Sequence, residues 1–460
     1  MLSDLHLGSD LLAHAPEGAR ASRCKEFDAD FVRLLDHYRD APSQGGRWRL
    51  VIAGDLFDFI GMSLPPGAEL ETAPTEEELA HGLGNAADHA VAKMRAIAIR
   101  HGEVFDALGR FVASGHALTI IHGNHDLALH WSAVREELLA TLVERARSRD
   151  TFDEAGFLSR VEFTEWFFYR DGMAYIEHGH QYDPFCATHH VLTPLSPVDS
   201  SRLARGFCDV LLRYVVRQTP GLPEHGHEDT GLWFYVSFAL RLGVRGGVAL
   251  TLRYIRAILA LFRLRKAHLS EAAGRVRKRH DRAMRRFAAI RRIHLRKLRR
   301  LADLRARPIT STVSGILASL LVDKIMLFVG CVSALLMIAF VAGLWEPWSG
   351  LAALGVPILW LVGSRVLANN RPIDPVIELA KRAGALAKLF PAPFIVMGHS
   401  HVPTRDEVAA GETTYFNVGS WTEEQGEGTA RTHLVIHPGA APQARFLRWD
   451  REHGPTDLLC

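Results

Sequence analysis

The chain has 460 residues, 48% of them hydrophobic, which excludes a wholly disordered protein and suggests more than one folded unit. Its net charge of +3 conceals an asymmetry, because residues 263–307 contain 18 Lys or Arg against three acids. The rest of the chain is therefore acidic on balance. Five scattered cysteines exclude a regular disulfide framework and predict reduced thiols in a cytosolic setting: Cys24, Cys186, Cys208, Cys331 and Cys460. The N-terminus lacks the pattern of a cleavable signal peptide.

The first part of the chain alternates short apolar strands with helical stretches. Few residues precede Asp4, so a first strand there is expected to be short or to begin upstream. Hydrophobic periodicity predicts helices over 26–38, 75–112 and 131–149. Buried strands are predicted at 49–53 and 117–121, and a hairpin at 161–169 and 173–177.

From residue 184 to residue 374 the alternation disappears, which indicates a helical insertion. Residues 325–345 carry no charge over a length of roughly 31 Å, the thickness of a bilayer's hydrocarbon core. A turn at 346–350 and a weaker apolar stretch at 351–367 complete a predicted transmembrane hairpin over 325–367. After residue 375 a helix and further strands return, the first of them at 394–397.

Polar side chains follow the predicted strands at five places that are far apart in the sequence. They are Asp4 with His6, Asp55 with Asp58, Asn124 with His125, His178, and His399 with His401. Alternate residues of a strand point to the same face, and strand ends of open α/β sheets are where ligands bind. We therefore expect the five segments to meet at one site.

The donor set mixes carboxylate, amide oxygen and imidazole, which suits divalent ions such as Mn²⁺, Fe²⁺ or Zn²⁺, with Mn²⁺ expected first. A single His or Asp at a strand end is usually an ordinary polar or turn residue, so only the joint pattern is informative. There are more ligands than one tetrahedral ion accepts, which predicts two ions that share a carboxylate. Two ions about 3.5–4 Å apart activate water and hold a phosphoryl group.

Together these segments resemble the calcineurin-like metallophosphoesterase superfamily. The matching blocks are Asp4-Leu5-His6, Gly54-Asp55-Leu56-Phe57-Asp58, Gly123-Asn124-His125-Asp126, His178-Gly179-His180 and Gly398-His399-Ser400-His401. The resemblance covers about 1–180 and 375–460, and it implies an α/β fold, a four-layer αββα sandwich. The predicted domains are 1–183 and 375–460, the two parts of the metallophosphoesterase domain, with 184–374 as a helical, membrane-associated insertion.

The resemblance also implies a role for each residue. One ion would be held by Asp4, His6 and His401, the other by Asn124, His178 and His399, with Asp55 bridging both. His125 is not a ligand in this family and would face the substrate, stabilising phosphoryl oxygens or protonating the leaving oxygen. Asp58 would orient His125. Asn417 and Ser420 resemble a later block that lines the site.

Both flanks of the insertion must reach one site, so any membrane crossings must be even in number. The basic stretch 263–308 directly precedes the first apolar segment. By the positive-inside rule and attraction to anionic head groups, it predicts a cell-membrane protein whose catalytic domain lies on the cytoplasmic side and whose insertion binds membrane lipids. Apolar residues within the basic stretch, such as Phe287, Ile290 and Leu298, indicate packing or lipid contact.

Three functions are compatible with these features. The first is a membrane-attached dimetal phosphohydrolase that cleaves a phosphomonoester, phosphodiester or pyrophosphate bond in a lipid-linked substrate. The distantly similar UDP-2,3-diacylglucosamine hydrolases also act on a lipid, but they have Arg where His125 stands here. The alternative is a nucleic-acid or nucleotide phosphodiesterase whose basic stretch binds phosphates. The third, a non-catalytic membrane scaffold, is disfavoured by the intact ligand set.

Overall fold

A computed structural model describes residues 1–12, 19–41, 46–67, 70–147, 152–219, 221–222, 232–342, 349–369, 374–422 and 430–458. The chain divides into two compact units. The first, here called the sheet unit, comprises Met1–Arg205, Ser270–Ala306 and Asp374–Cys460. The second, the helical unit, comprises Gly206–Leu269 and Arg307–Ile373. These boundaries differ from the domain boundaries predicted from the sequence, because 184–205 and most of the basic stretch group with the sheet unit.

The described residues form a mixed α/β structure, which confirms the predicted fold class at that level. The helices are α1 (Ala19–Asp40), α2 (Glu76–His81), α3 (Ala87–Arg100), α4 (Gly102–Ala113), α5 (Ser132–Ala146), α6 (Glu154–Ser159), α7 (Phe207–Leu211), α8 (Leu232–Arg241), α9 (Gly243–His268), α10 (Glu271–Ile290), α11 (Leu295–Asp303), α12 (Val313–Ser319), α13 (Val322–Ala342), α14 (Ser349–Asn369) and α15 (Pro375–Leu389). The strands are β1 (Arg49–Ala53), β2 (Ala117–Ile121), β3 (Val161–Thr164), β4 (Phe167–Arg170), β5 (Ala174–Glu177), β6 (Phe394–Met397), β7 (Thr404–Val408), β8 (Thr413–Asn417), β9 (Thr432–His437), β10 (Gln443–Asp450) and β11 (Gly454–Asp457).

The described residues of the sheet unit form three sheets. In the first, β1, β2 and β3 are parallel and neighbour one another in that order. In the second, the order is β4-β5-β6-β8-β7, with parallel pairing of β5 to β6 and of β6 to β8. The third is an antiparallel sheet in the order β11-β10-β9. The carboxyl ends of the central strands therefore meet at common edges, which is where the predicted ligands follow them.

Alternation along the strands divides the apolar residues of the sheet unit among three cores. Val51 and Ile176 belong to a core that joins all three sheets. On the other face of the first sheet, Ile52 packs into a core with α1 and α3–α5. On the other face of the second sheet, Tyr175 packs into a core with α10, α11 and α15. Neighbouring residues of a strand thus serve opposite faces, as the two-residue period requires.

The N-terminal residues run beside β1 without forming a regular strand. Leu2 pairs with Ile52 and Leu7 pairs with Phe57, both in parallel bridges. Ala53 N–H donates to the carbonyl oxygen of Leu2 at 2.8 Å. These bonds fix the segment that carries the first two predicted ligands, although only isolated bridges form.

Two predictions of local structure were wrong. The stretch 161–169, predicted as one hairpin strand, is divided between β3 in the first sheet and β4 in the second, with Trp166 buried between them. The predicted helix over 75–112 is three helices, because the chain leaves the helical conformation at Gly82, which has a φ of 89°, and again at His101. Local periodicity does not tell which sheet a strand joins, since that depends on distant partners.

The helical unit contains an apolar hairpin. Helix α13 carries a segment, Val322–Phe340, with a mean hydropathy of 2.1 that is long and apolar enough to cross a membrane, and only 6% of its most apolar window is buried. In the described part of the chain it alone meets this test; the apolar part of α14 is shorter, Gly355–Leu367. The rings of Phe328 and Trp360 lie 5.9 Å apart, so the two helices pack together. The end of the predicted span and its turn, 343–348, lie outside the described residues.

Candidate metal centre

Outside the N-terminal segment, the predicted ligands follow strands whose positions are fixed by pairing. Asp55 comes two residues after β1, and Asn124 three residues after β2. His178 directly follows β5, and His399 comes two residues after β6. These strands belong to two sheets, and the Nδ1 atom of His178 lies 2.9 Å from the carbonyl oxygen of Ala53, so the two sheet edges meet at this point.

The first group of potential ligands consists of Asp4, His6 and His401, all buried. Nε2 of His401 lies 3.1 Å from Oδ1 of Asp4 and 3.4 Å from Nε2 of His6. Two imidazole nitrogens and a carboxylate oxygen thus converge on one point. This donor chemistry fits a divalent first-row ion. The structure brings together the three residues predicted to hold the first ion, although almost four hundred residues separate them.

The second group lies next to the first. Nε2 of His178 lies 3.1 Å from Oδ2 of Asp55 and 3.1 Å from Oδ1 of Asn124. Asp55 also belongs to two wider groups of potential ligands, one with Asp4 and His178 and one with His6 and His125. Its carboxylate therefore lies between the two sets of donors, at the position predicted for a bridging ligand.

His399 is placed differently from the other predicted ligands. Its ring lies 5.2 Å from that of His178, centroid to centroid, and its backbone N–H donates to Oδ2 of Asp4 at 3.1 Å. However, Nε2 of His399 is paired with Oδ2 of Asp183, 3.0 Å away. The potential ligand group that includes His399 is completed by Asp183 and Cys186. Among the predicted histidine ligands, His399 thus differs in that the carboxylate paired with its Nε2 is not itself a predicted ligand.

The backbone at the site is strained. Five predicted ligands have positive φ values, a region that non-glycine residues rarely adopt. They are Asp4 (56°), His6 (48°), Asp55 (52°), His399 (72°) and His401 (59°). Such strain costs on the order of 1–3 kcal/mol per residue and persists only where the surroundings enforce it, typically at functional sites.

Glycines leave the space in which the donors crowd together. A Cβ on Gly123 would lie 2.0 Å from Oδ1 of Asp55, and one on Gly54 would lie 2.4 Å from Nδ1 of His178. Neither distance is compatible with a side chain, and Gly54 also has a φ of +90°. The glycines beside the predicted ligands therefore permit close approach of two loops, as the sequence indicates.

The electrostatics of the site keep its two carboxylates ionised. Burial raises the pKa of Asp4, but His401 and His178 outweigh this effect and lower the pKa to about 2. Burial also raises the pKa of Asp55, yet the adjacent His178 and His125 hold it well below its ordinary value. Burial and the neighbouring His125 lower the pKa of His6 to about 4. Two ionised carboxylates thus lie beside an imidazole that stays neutral.

His125 and Asp58 form a buried, hydrogen-bonded pair next to the predicted ligands. Nδ1 of His125 lies 2.6 Å from Oδ1 of Asp58. The backbone N–H of His125 donates to Oδ1 of Asp55 at 2.8 Å, and its ring lies 4.6 Å from that of His6. Asp58 therefore orients the His125 ring next to the ligands, the arrangement expected of it.

Sequence reasoning missed two carboxylates that hold the site together. Asp183 carries no motif signal beyond its place five residues after His178. Asp126 lies in one of the sequence blocks, but the sequence did not indicate a role for it. Its Oδ2 accepts from Leu56 N–H at 2.9 Å and its Oδ1 accepts from Gly123 N–H at 2.6 Å. Burial and the nearby Asp55 raise the pKa of Asp126 to about 7. Asp126 thus joins the loops that follow β1 and β2.

The later block with Asn417 and Ser420 contacts the backbone of the site. Asn417 Nδ2–H donates to the carbonyl oxygen of Gly398 at 2.7 Å. The hydroxyl of Ser420 donates to the carbonyl oxygen of Asp4 at 3.0 Å. These bonds hold the first and last ligand segments in place. His180 is buried beside the ligands, with its ring 5.3 Å from that of His178.

Comparisons with protein-family models, with curated proteins and with solved structures found no match for this chain. The evidence for a function is therefore the geometry itself. Buried His and Asp groups at this site can hold a metal ion.

Proposed function

We propose that the chain is a membrane-attached dimetal phosphohydrolase of the calcineurin-like metallophosphoesterase superfamily. The observation that carries the proposal is the convergence of all five sequence blocks on one buried site. The first ligand group joins Asp4 and His6 to His401, and the second joins Asp55 to Asn124 and His178. A purely structural polar cluster does not require this donor chemistry on strained backbone.

The arrangement of the cores supports the finer fold expectation, a four-layer αββα sandwich. One face of the first sheet and one face of the second share a core, to which they contribute Val51 and Ile176. Helices cover the opposite face of each, with α4 in one core and α15 in the other. The ligands follow strands of both sheets, as such a sandwich requires.

The chain's own residues define how a phosphoester would be handled. Two divalent ions, for which Mn²⁺ is the first candidate, would supply positive charge that neutralises a phosphoryl group and lowers the pKa of a bound water. Asp4, His6 and His401 would hold one ion, Asn124, His178 and His399 the other, and Asp55 both. The hydrogen bond between Nδ1 of His125 and Asp58 orients the His125 ring. His125 would face the substrate, where it would stabilise phosphoryl oxygens or protonate the leaving oxygen.

Membrane attachment is proposed from the hairpin of α13 and α14. Large apolar side chains of α13 are exposed, for example Leu336 at 67% and Phe340 at 74%. Such a surface is incompatible with water and fits the hydrocarbon of a bilayer. A hairpin returns the chain to the side on which it started, and the basic stretch assigns that side to the cytoplasm. A lipid-linked phosphoester or pyrophosphate is the substrate that such an enzyme would reach.

A nucleic-acid phosphodiesterase stays the alternative because of one observation. Helices α10 and α11 group with the sheet unit that holds the site, and they expose many cations, including Arg275, Arg282 and Arg296. A basic face on the same unit as the site would bind polynucleotide phosphates as well as lipid head groups.

The test is turnover by detergent-purified chain with Mn²⁺ on lipid phosphomonoesters, phosphodiesters and lipid-linked pyrophosphates, beside nucleotides and single-stranded DNA. Hydrolysis of a lipid-linked substrate is expected, whereas preference for DNA would establish the alternative. We expect His125→Ala to lower kcat by about 10²–10⁴-fold, the usual effect of losing an acid–base group, while metal content stays at two ions. His453→Ala is the control, because its side chain is 73% exposed on a distant turn. Full turnover by His125→Ala would refute its role.

A further inference from the structure

The partner of His399 is a carboxylate that no sequence block includes. Oδ2 of Asp183 lies 3.0 Å from Nε2 of His399, and both side chains are less than 10% exposed. An imidazole whose Nε2–H is held by a carboxylate has its lone pair on Nδ1. In metal sites, a hydrogen bond of this kind fixes the tautomer and orientation of the ligand ring and increases its basicity.

Asp183 is itself fixed by the loop that carries it. Its Oδ1 accepts from Phe185 N–H at 2.8 Å, which leaves Oδ2 for the imidazole. Its carbonyl oxygen accepts from Ala187 N–H at 2.8 Å. The residue follows the 3₁₀ turn His180–Tyr182, which begins two residues after the predicted ligand His178. The same short segment therefore carries one predicted ligand and the group that orients another.

We propose that Asp183 is a positioning residue that fixes the His399 ring for the second ion. The proposal rests on the metal pair of the proposed function and deepens it. It explains why His399 alone among the predicted ligands has Nε2 paired with a carboxylate outside the two ligand groups. It also assigns Nδ1 of His399, rather than Nε2, as the nitrogen that would bind the ion.

The same atoms permit a second interpretation, which the experiment must separate. Asp183, Cys186 and His399 bring one potential ligand atom each within 4.8 Å of one another, so an ion could be bound there with a thiolate ligand. Loading with Co²⁺ distinguishes the two, because a thiolate ligand gives an intense charge-transfer band in the near ultraviolet. The positioning role predicts two bound ions and no such band; a thiolate band would overturn it.

The main test is calorimetric titration of the full, detergent-purified chain with Mn²⁺. Asp183→Ala is expected to lower the affinity for one of the two ions by about 10- to 100-fold, the usual effect of losing such a hydrogen-bond partner. The affinity for the other ion should not change. Asp183→Asn keeps an acceptor but loses the charge, so its effect should be smaller. Retention of the unaffected ion shows that the variant site is folded. Asp457→Asn, an exposed residue of β11, is the control.

Activity gives a second measurement. In Asp183→Ala, kcat should fall at low Mn²⁺ and recover at high Mn²⁺. If Asp183→Ala binds both ions with the affinity of the parent chain, the positioning role is wrong while the hydrolase proposal stands. A different result would be that the parent chain binds two ions and Asp183→Ala lowers the affinity for one of them, but no phosphoester is hydrolysed. In that case the positioning role stands and the hydrolase proposal is wrong.

Discussion

At the scale of single residues, the site combines strain with burial. His6 and His401 have positive φ values of 48° and 59°, and their Nε2 atoms lie 3.4 Å apart. This approach brings two nitrogen donors to one point, and the backbone conformation costs free energy at each residue. A cation between their nitrogens and Asp4 would account for both features. The convergence of these donors on a strained backbone is therefore a physical argument for metal binding.

Not every buried histidine belongs to the site. His433 on β9 is buried, with Nε2 2.8 Å from the hydroxyl of Tyr38. Burial lowers its pKa from 6.5 to about 3. The unfolded chain therefore binds a proton at this residue more readily than the folded chain between these two pH values. Its contribution to stability is complete above pH 6.5 and is lost as the pH falls towards 3.

His433→Gln should make the sheet unit less sensitive to acid, because Gln cannot bind this proton. Between pH 6 and 4.5 the parent chain should lose about 2 kcal/mol more of its free energy of unfolding than the variant, at about 1.4 kcal/mol per pH unit. Urea titrations followed by tryptophan fluorescence measure this difference. Equal losses in both proteins would show that His433 does not stay neutral in the folded chain.

At the scale of elements, α10 and α11 show how a basic stretch becomes part of a folded unit. Phe287 and Leu298 are buried against the second sheet and α15, whereas most of the cations are exposed. Of the interleaved apolar residues, Ile290 is 65% exposed. Packing, one of the two outcomes expected from the sequence, thus accounts for most of them.

Leu298→Ala should therefore destabilise the sheet unit by about 2–5 kcal/mol, because it leaves a cavity in a closed core. Ile290→Ala on the neighbouring helix is the control, and its effect should stay within about 0.5 kcal/mol. Urea unfolding of the detergent-purified variants measures both. If the two substitutions have equal, small effects, the basic helices do not contribute to the core of the unit.

At the scale of the whole molecule, the site closes only when the N-terminal and C-terminal segments meet. Asp4 and His401 share a hydrogen bond across 397 residues, and the apolar hairpin lies between them in the sequence. If α13 crosses a membrane, α14 must return to the same side, or His401 could not reach Asp4. The topology of the proposed membrane insertion is therefore a consequence of the metal site.

Cysteine labelling in native membranes tests this topology. Leu336→Cys on α13 should resist a membrane-impermeant maleimide until the membrane is dissolved, since its exposed side chain would face lipid. Ile290→Cys, of similar exposure on α10, should react only after the cell membrane is permeabilised. The parent chain gives the background of the native cysteines. Labelling of Leu336→Cys in intact membranes would show that α13 is not buried in lipid.

The sequence by itself determined which chemistry is available. Short apolar runs predicted β1, β2 and β6 with their observed bounds, because buried strands are recognised by composition and by the glycines that end them. The donor types at the strand ends were readable for the same reason. The uncharged apolar run that begins at Ile325 in α13 was an equally local property.

Only the tertiary structure decided which groups meet. The assignment of β3 and β4 to different sheets depends on distant pairing partners, which no local pattern encodes. The pairing of Asp183 with His399 joins residues 216 apart, and an Asp after a turn has no distinguishing mark in the sequence. Likewise, the burial of one face of α10 and α11 depends on α15, which follows the apolar hairpin. Periodicity specifies what a segment can bury, whereas its partner is selected by the packing of the whole unit.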